Sequence, residues 1–158
     1  MSAASVVDIL SWLDAVKDPE IPVLSIIDLG IVRAVRRDGE SIVVVITPTY
    51  TGCPAMGVIE KDIRDVLQDR GIAGGRVEIS LAPAWTTDWM TARGREALRE
   101  YGIAPPSPGG CQTLPGPVAC PRCGSGDTSL LSRFGSTACK SLYRCETCRE
   151  PFDHFKCH

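Results

Sequence analysis

No apolar run in this sequence approaches the roughly 20 residues needed to cross a bilayer as a helix. Nor does the chain open on a basic stretch followed by an apolar core and a small-residue cleavage site, so no secretory segment is read and the cytoplasm is the expected compartment. An excess of one charge is missing too. With 17 basic and 19 acidic residues the formal net charge is −2. Divided at residue 119, 11 basic and 15 acidic residues precede the boundary and 6 basic and 4 acidic follow it, and neither part looks like a polyanion binder. Histidine is scarce: there are two, His154 and His158, both far in sequence from the single early cysteine. No triad order can be read around that cysteine, which leaves an independent thiol enzyme without support. Cysteine is itself rare over most of the chain. Of eight, Cys53 alone lies before residue 111.

That uneven distribution decides the organisation. A chain of 158 residues is one ordinary domain, or a small domain with a smaller one attached, and a short tail dense in cysteine favours the second. In the first part, Val6, Ile9, Leu10, Leu13 and Val16 recur at helical steps behind a capping-box-like Ser5-x-x-Asp8, predicting a helix that ends at Lys17 before Asp18-Pro19. A structured loop is expected over 18–30. The β-rich runs 31–37 and 41–47 flank Asp38-Gly39 and read as a hairpin, and Ile42-Val43-Val44-Val45-Ile46 is apolar at every position, as in a strand covered on both faces. Met56, Ile59, Ile63, Val66 and Leu67 line one side of a second helix, and the alternation over 76–81 predicts a third strand with one wet face. The order α-β-β-α-β predicts an α/β fold: a small two-layer mixed sheet with helices on one face, followed by a C-terminal zinc ribbon. A short helix is expected over 91–101. Trp85 and Trp89, in the polar loop before it, either cap the core or offer a partner surface. The expected domains are 1–103, a Pro/Gly-rich linker over 104–118, and the ribbon over 119–158.

Two stretches carry chemistry. In Thr47-Pro48-Thr49-Tyr50-Thr51-Gly52-Cys53-Pro54 a buried strand gives way to a helix. Proline suits the first helical position, which would make Cys53 the N-cap, where unpaired amides and the positive end of the dipole lower a thiol's pKa. Cys53 is therefore a candidate nucleophile or iron ligand, against the plain alternative of a buried small hydrophobe. In the tail, Cys120-Pro121-Arg122-Cys123 and Cys145-Glu146-Thr147-Cys148 are two CxxC knuckles separated by 21 residues. That is close to the spacing of four-cysteine zinc sites, and in a reducing compartment such pairs read as metal ligands before disulfides. Structural zinc on Cys120, Cys123, Cys145 and Cys148 is expected. A rubredoxin-like iron would use the same sulfurs. Cys111, Cys139, Cys157 and the two histidines are left over, too few to complete a second site without another CxxC pair.

Asp18-Pro19-Glu20-Ile21-Pro22, then Ile27-Asp28-Leu29-Gly30-Ile31-Val32, then Thr47-Pro48-Thr49 with Cys53-Pro54, resemble in order the motifs of the SufT/Cia-type iron–sulfur assembly domain over roughly residues 5–103. With the CxxC ribbon, the run from Phe134-Gly135-Ser136-Thr137 to Ala138-Cys139-Lys140 and the ending Phe152-Asp153-His154-Phe155-Lys156-Cys157-His158, the whole chain is similar to the PaaD family. Its members are encoded with the multicomponent phenylacetyl-CoA epoxidase of aerobic phenylacetate degradation. The resemblance implies an accessory factor for maturation of that system's iron–sulfur cluster or metal centres, with no catalytic activity of its own. The alternative is a noncatalytic structural subunit of the oxygenase. It also implies a client among the epoxidase components, foremost the iron–sulfur reductase; from charge and hydropathy no nucleic-acid or membrane partner is expected, and a homodimer stays open. Carried over by position, it makes Cys53 the reactive or iron-contacting thiol, binding iron or a cluster transiently, with Asp18, Glu20 and Asp28 near it. This chain departs from the broader family at Tyr50-Thr51-Gly52, which is bulkier than the usual glycine-rich turn.

Overall fold

The computed structural model describes residues 4–107 and 117–156, and the chain divides into two compact units, 1–85 and 86–158. Cys111, Cys157 and His158 lie outside the described residues.

In the first unit, helix α1 (Val6–Leu13) starts from a complete capping box: the Ser5 hydroxyl accepts the Asp8 amide and the Asp8 carboxylate accepts the Ser5 amide. It is shorter than the periodicity implied. The Ala15 and Val16 amides bond back three residues, to Trp12 and Leu13, so the last turn tightens and regular helix stops at Leu13 while Val16 still reaches the core. Strands β1 (Val32–Asp38) and β2 (Ser41–Ile46) form the expected antiparallel hairpin, with Asp38 opposite Ser41 and Gly39 at φ 62° in the turn. Helix α2 (Met56–Asp69) crosses to β3 (Arg76–Ile79), which pairs parallel with β2 and makes β2 the middle strand.

Burial follows from that order. Ile42, Val43, Val44 and Ile46 are essentially inaccessible, as a central strand covered on both faces requires. Strand β3, at the sheet edge, leaves Ile79 about half exposed, so its expected alternation is weaker than the sequence suggested. Helices α1 and α2 touch each other, α1 also touches β1 and α2 touches β3, which places both on one side of the sheet. Ile9, Leu13, Ile59, Ile63 and Leu67 are the side chains they bury there. The loop over 18–30 is structured as expected: Ile21, Leu24, Ile26 and Leu29 are all buried. Trp85 is also a core residue. It is 4 % exposed and its indole N–H donates to the Leu29 carbonyl at 2.8 Å, which removes it from the partner surface considered above.

The second unit begins with a 3-10 turn over Thr87–Trp89 and helix α3 (Ala92–Tyr101), capped by the Thr91 hydroxyl at one end and by Gly102 in the left-handed region at the other. Arg95 ties this helix to both flanks, donating to the Thr87 carbonyl at 2.7 Å and the Pro106 carbonyl at 2.6 Å. Four strands follow: β4 (Ile103–Ala104), β5 (Thr128–Ser132), β6 (Lys140–Cys145) and β7 (Pro151–Phe155), in the order β4-β7-β6-β5. The β5-β6-β7 meander is the ribbon. Strand β4 pairs parallel with β7, setting Ile103 opposite Asp153 and Ala104 opposite His154. The boundary expected at 103 and the compact division at 85 thus differ by a segment, 86–103, which belongs with the ribbon because α3 leads directly into β4 and β4 adds to its sheet. The ribbon core is small: Ala104, Val118, Cys120, Tyr143, Cys145 and Phe152, with the Tyr143 and Phe152 rings stacked at 5.9 Å.

Candidate functional site

Cys53 lies in the turn between β2 and α2. Gly52, at φ 79°, is the third residue of a four-residue turn whose last amide, that of Cys53, donates to the Tyr50 carbonyl at 3.3 Å. The Met56 amide then bonds the Cys53 carbonyl at 3.4 Å, and the helix proper starts at Met56 with Ala55 as its N-cap. Cys53 therefore precedes the N-cap by two residues, correcting the expectation that it would occupy that position. Pro54 is compatible with a helix start but does not fix where the first full turn closes.

The electrostatic consequence reverses the sequence expectation as well. Burial pushes the half-buried Cys53 thiol above its ordinary value, and the charges of Glu20 and Asp18 push it further. The Ala55 amide and the Tyr50 hydroxyl pull the other way and do not prevail. At neutral pH the thiol keeps its proton. Of the three carboxylates assigned by position, the fold thus brings Glu20 and Asp18 to act on Cys53. Asp18 has a structural duty besides: it is buried, and one of its oxygens accepts the Glu20 and Ile21 amides, each at 2.8 Å. Asp28, also buried, shares the Ser25 hydroxyl with Asp14, the contacts measuring 3.1 and 2.7 Å, and donates its own amide to that oxygen at 3.0 Å. Two features of the site are not visible in the local sequence pattern. Tyr50, expected only to add bulk, acts on the Cys53 thiol from three residues away and draws its pKa down. Thr47 has a buried hydroxyl with no hydrogen-bond partner among the described residues, an uncommon deficit on the first residue of the Thr47-Pro48-Thr49 run.

The second site is in the ribbon. The sulfurs of Cys120, Cys123, Cys145 and Cys148 all lie within 4.8 Å of one another, with Cys120 to Cys148 at 3.7 Å and Cys123 to Cys145 at 3.5 Å. A tetrahedron of sulfurs about 2.3 Å from zinc has edges of about 3.8 Å, so the four are placed to receive that ion. Backbone amides already point at them. Cys145 accepts from Cys148 at 3.4 Å, and the amides of Thr147, Ser125 and Glu150 favour the charged forms of Cys145, Cys123 and Cys148 in turn. The two knuckles match in backbone as well: Gly124 and Arg149, each following the second cysteine of its pair, both have positive φ, 78° and 68°. The donor set, its spacing and its amides fit a structural zinc ion, which would cross-link the two knuckles. Cys139 stands apart, buried with its sulfur 3.0 Å from the Thr137 hydroxyl. His154 is on β7 with its ring edge against Tyr143 and its Nδ1 3.4 Å from the Ser141 hydroxyl. Among the described residues no helix is long and apolar enough to cross a membrane.

Residues 7–81 match the family of iron–sulfur cluster assembly proteins and residues 105–156 match the PaaD zinc beta ribbon domain. An Escherichia coli K12 protein described as a candidate component of 1,2-phenylacetyl-CoA epoxidase, one of its subunits, is 55 % identical over 151 residues, covering 95 % of this chain and 92 % of its own length. An Fe-S protein maturation auxiliary factor from Porphyromonas gingivalis W83 is 35 % identical over 98 residues, 61 % of this chain and 90 % of that protein. Among solved structures, a domain of unknown function from Bacillus anthracis is 31 % identical with a TM-score of 0.53, covering 57 % of this chain and 87 % of its own. A conserved hypothetical protein from Thermotoga maritima is 30 % identical with a TM-score of 0.52, covering 61 % and 96 %. Near-full-length identity to the first of these relatives, with both domain models matched in order, makes the chain a member of the PaaD family, an iron–sulfur assembly domain joined to a four-cysteine ribbon.

Proposed function

We propose that this protein is an accessory factor that matures the iron–sulfur cluster or another metal centre of the multicomponent phenylacetyl-CoA epoxidase, with the iron–sulfur reductase component as its client. The observation that carries the reading is the Cys53 turn. It holds one accessible sulfur beside the charges of Glu20 and Asp18, in a domain of the assembly family. A lone thiol cannot enclose a metal, but it can hold one edge of a cargo whose remaining ligands come from the client. Because the thiol is protonated at neutral pH, taking up an iron ion requires the S–H proton to leave as the sulfur–iron bond forms. Glu20 is the acceptor in this scheme, since its charge acts directly on the sulfur. Once the metal is bound, its positive charge stabilises the thiolate and the two carboxylates turn from opposing ionisation to favouring the loaded site. The protein itself is not an enzyme in this reading, and the ribbon zinc is structural.

A second reading, a noncatalytic subunit of the oxygenase, is favoured by the description of the Escherichia coli relative as one of the epoxidase's own subunits. One experiment separates them. Cys53→Ser keeps the size of the side chain and a polar acceptor for the Ala55 amide, so the fold should persist. For an assembly factor, client activity in cells should fall with this variant, while client matured beforehand should turn over in vitro with no protein added. Dependence on the protein at every turnover would establish the second reading, and full client activity in cells with Cys53→Ser would remove the thiol from the mechanism.

A further inference from the structure

The second unit carries a surface that neither the zinc site nor the Cys53 turn uses. Strand β5 is the outer strand of its sheet, and its end and the turn beyond it expose three large apolar side chains: Leu130 at 48 %, Leu131 at 53 % and Phe134 at 67 %. They are neighbours for a structural reason. The register against β6 shifts between Leu130 and Ser132, leaving Leu131 as the additional residue, and the Phe134 amide then donates to the Ser132 hydroxyl at 3.2 Å in the turn that follows. Large apolar groups close together on an outer strand are a recognised hazard, and proteins keep them chiefly where something binds.

The charges around the patch indicate what binds. The Lys156 ammonium lies 4.4 Å from the centre of the Phe134 ring and donates to the Arg133 carbonyl at 2.8 Å, so two cations and an exposed aromatic share one turn. Among the described residues neither Arg133 nor Lys156 has a carboxylate partner, and two of the ribbon's acidic groups, Glu146 and Asp153, are engaged elsewhere. Glu146 is bonded to Ser129 and paired with Arg149, and Asp153 faces Lys140 and Ser136. The two cations leave this end of the ribbon complementary to carboxylates on another molecule. We infer that Leu130, Leu131 and Phe134, rimmed by Arg133 and Lys156, form the docking surface for an acidic client protein, which seats an apolar group against the patch and carboxylates on the two cations. The inference rests on the accessory-factor reading for the identity of the client and adds where that client is held: on the ribbon, by residues distinct from Cys53.

The test uses the full-length zinc-loaded protein, tagged, with the purified components of the phenylacetyl-CoA epoxidase as candidate partners. Two double variants are compared, Leu131→Ser/Phe134→Ser and Arg133→Glu/Lys156→Glu. The positions in both are surface ones, so zinc content should be unchanged. Capture of the client should weaken at least about tenfold in each, as loss of a central aromatic anchor or reversal of two rim charges does. Capture by the unaltered protein should also weaken as salt screens the cations. Unchanged capture by both double variants would overturn the docking surface while leaving the accessory role intact. If the unaltered protein captures no component, the accessory reading falls and the client assignment with it. Concentration-dependent self-association abolished by the same substitutions, without loss of client capture, would reassign the patch to a second copy of this chain.

Discussion

Removal of one ribbon ligand should unfold the second unit. The perturbation is Cys145→Ser, at a buried sulfur that accepts the Cys148 amide and lies 3.5 Å from Cys123. The magnitude follows from what else holds this unit together. Among the described residues one core cluster has six side chains, two of which, Cys120 and Cys145, are themselves ligands, and only a few more, such as Leu98, Ile103 and Phe155, are buried besides. A unit of this size without staples draws about 3–5 kcal/mol from its core, whereas a structural zinc site supplies about 10–16 kcal/mol. Losing the metal therefore removes more than the rest contributes. The sulfurs alone do not substitute for it. The Cys148 amide and its neighbours bring Cys145 down to about 7, while Cys148, despite accepting the Glu150 amide, is pushed up to about 12 by burial and the surrounding sulfurs, so in the absence of a cation the cluster resists ionising together. Metal analysis should find about one equivalent in the unaltered protein and far less in Cys145→Ser. Hydrogen exchange should show the amides of β5, β6 and β7 losing protection while those of β1 and β2 keep theirs. A variant that retains a full equivalent of metal, or strands that stay protected after chelation, would refute the reasoning.

Three further outcomes can be measured. Thr47→Val replaces a buried hydroxyl that has no partner among the described residues with a methyl of similar size, so it should raise stability by about 1 kcal/mol or more, read as the denaturant midpoint of the first unit; a loss would mean that the hydroxyl is satisfied in solution. Arg149→Gly relieves a left-handed backbone at the second knuckle, strain of about 1–2 kcal/mol, at the expense of an exposed 3.3 Å pair with Glu146 of a kind that contributes little, so the ribbon should hold its zinc against chelators longer than before, with faster release counting against the strain argument. Burial lowers His154 to about 4. The unfolded chain therefore takes up that proton first as pH falls, so the stabilisation is complete above about 6.5 and is lost toward 4, amounting to about 3 kcal/mol. His154→Asn should flatten that part of the acid limb, and an unchanged limb would show that the ring is not kept neutral by the fold.

Much of this was legible from pattern. The all-apolar run over 42–46 marked the central strand, the three- and four-residue steps from Met56 to Leu67 marked α2, and the CxxC spacing marked a site whose sulfurs do converge. What the pattern could not carry was set by distant parts of the chain. Strand β4 is two residues long in a Pro/Gly-rich neighbourhood and exists because β7, some 50 positions later, pairs with it. Trp85 is in the core because the Leu29 carbonyl is there to receive its indole N–H. The sign of the Cys53 shift depends on Glu20 and Asp18, more than 30 residues upstream, and on the degree of burial, neither of which local capping rules contain.

That last difference bears on why the chain has two sulfur sites. In the ribbon, four sulfurs stand at close to tetrahedral spacing, an arrangement that resists ionising without a metal and retains a small cation once it is bound. At Cys53 one sulfur keeps its proton among carboxylate charges and has too few partners of its own to close a coordination shell. A site that must lose a proton to bind, and must borrow ligands to complete the shell, also releases its cargo readily when those ligands withdraw or the proton returns. On the proposed accessory role, permanent retention calls for the first design and transfer for the second. Lowering the Cys53 pKa by removing the Glu20 charge should accordingly make the thiol more reactive toward alkylating agents near neutral pH, yet impair maturation of the client, because the acceptor for the thiol proton and the carboxylate field that favours the loaded state are lost together. Glu20→Gln separates these effects. Faster alkylation with slower maturation is the expected pair, and faster alkylation with unimpaired maturation would show that thiolate supply alone limits the step and that Glu20 takes no part in loading.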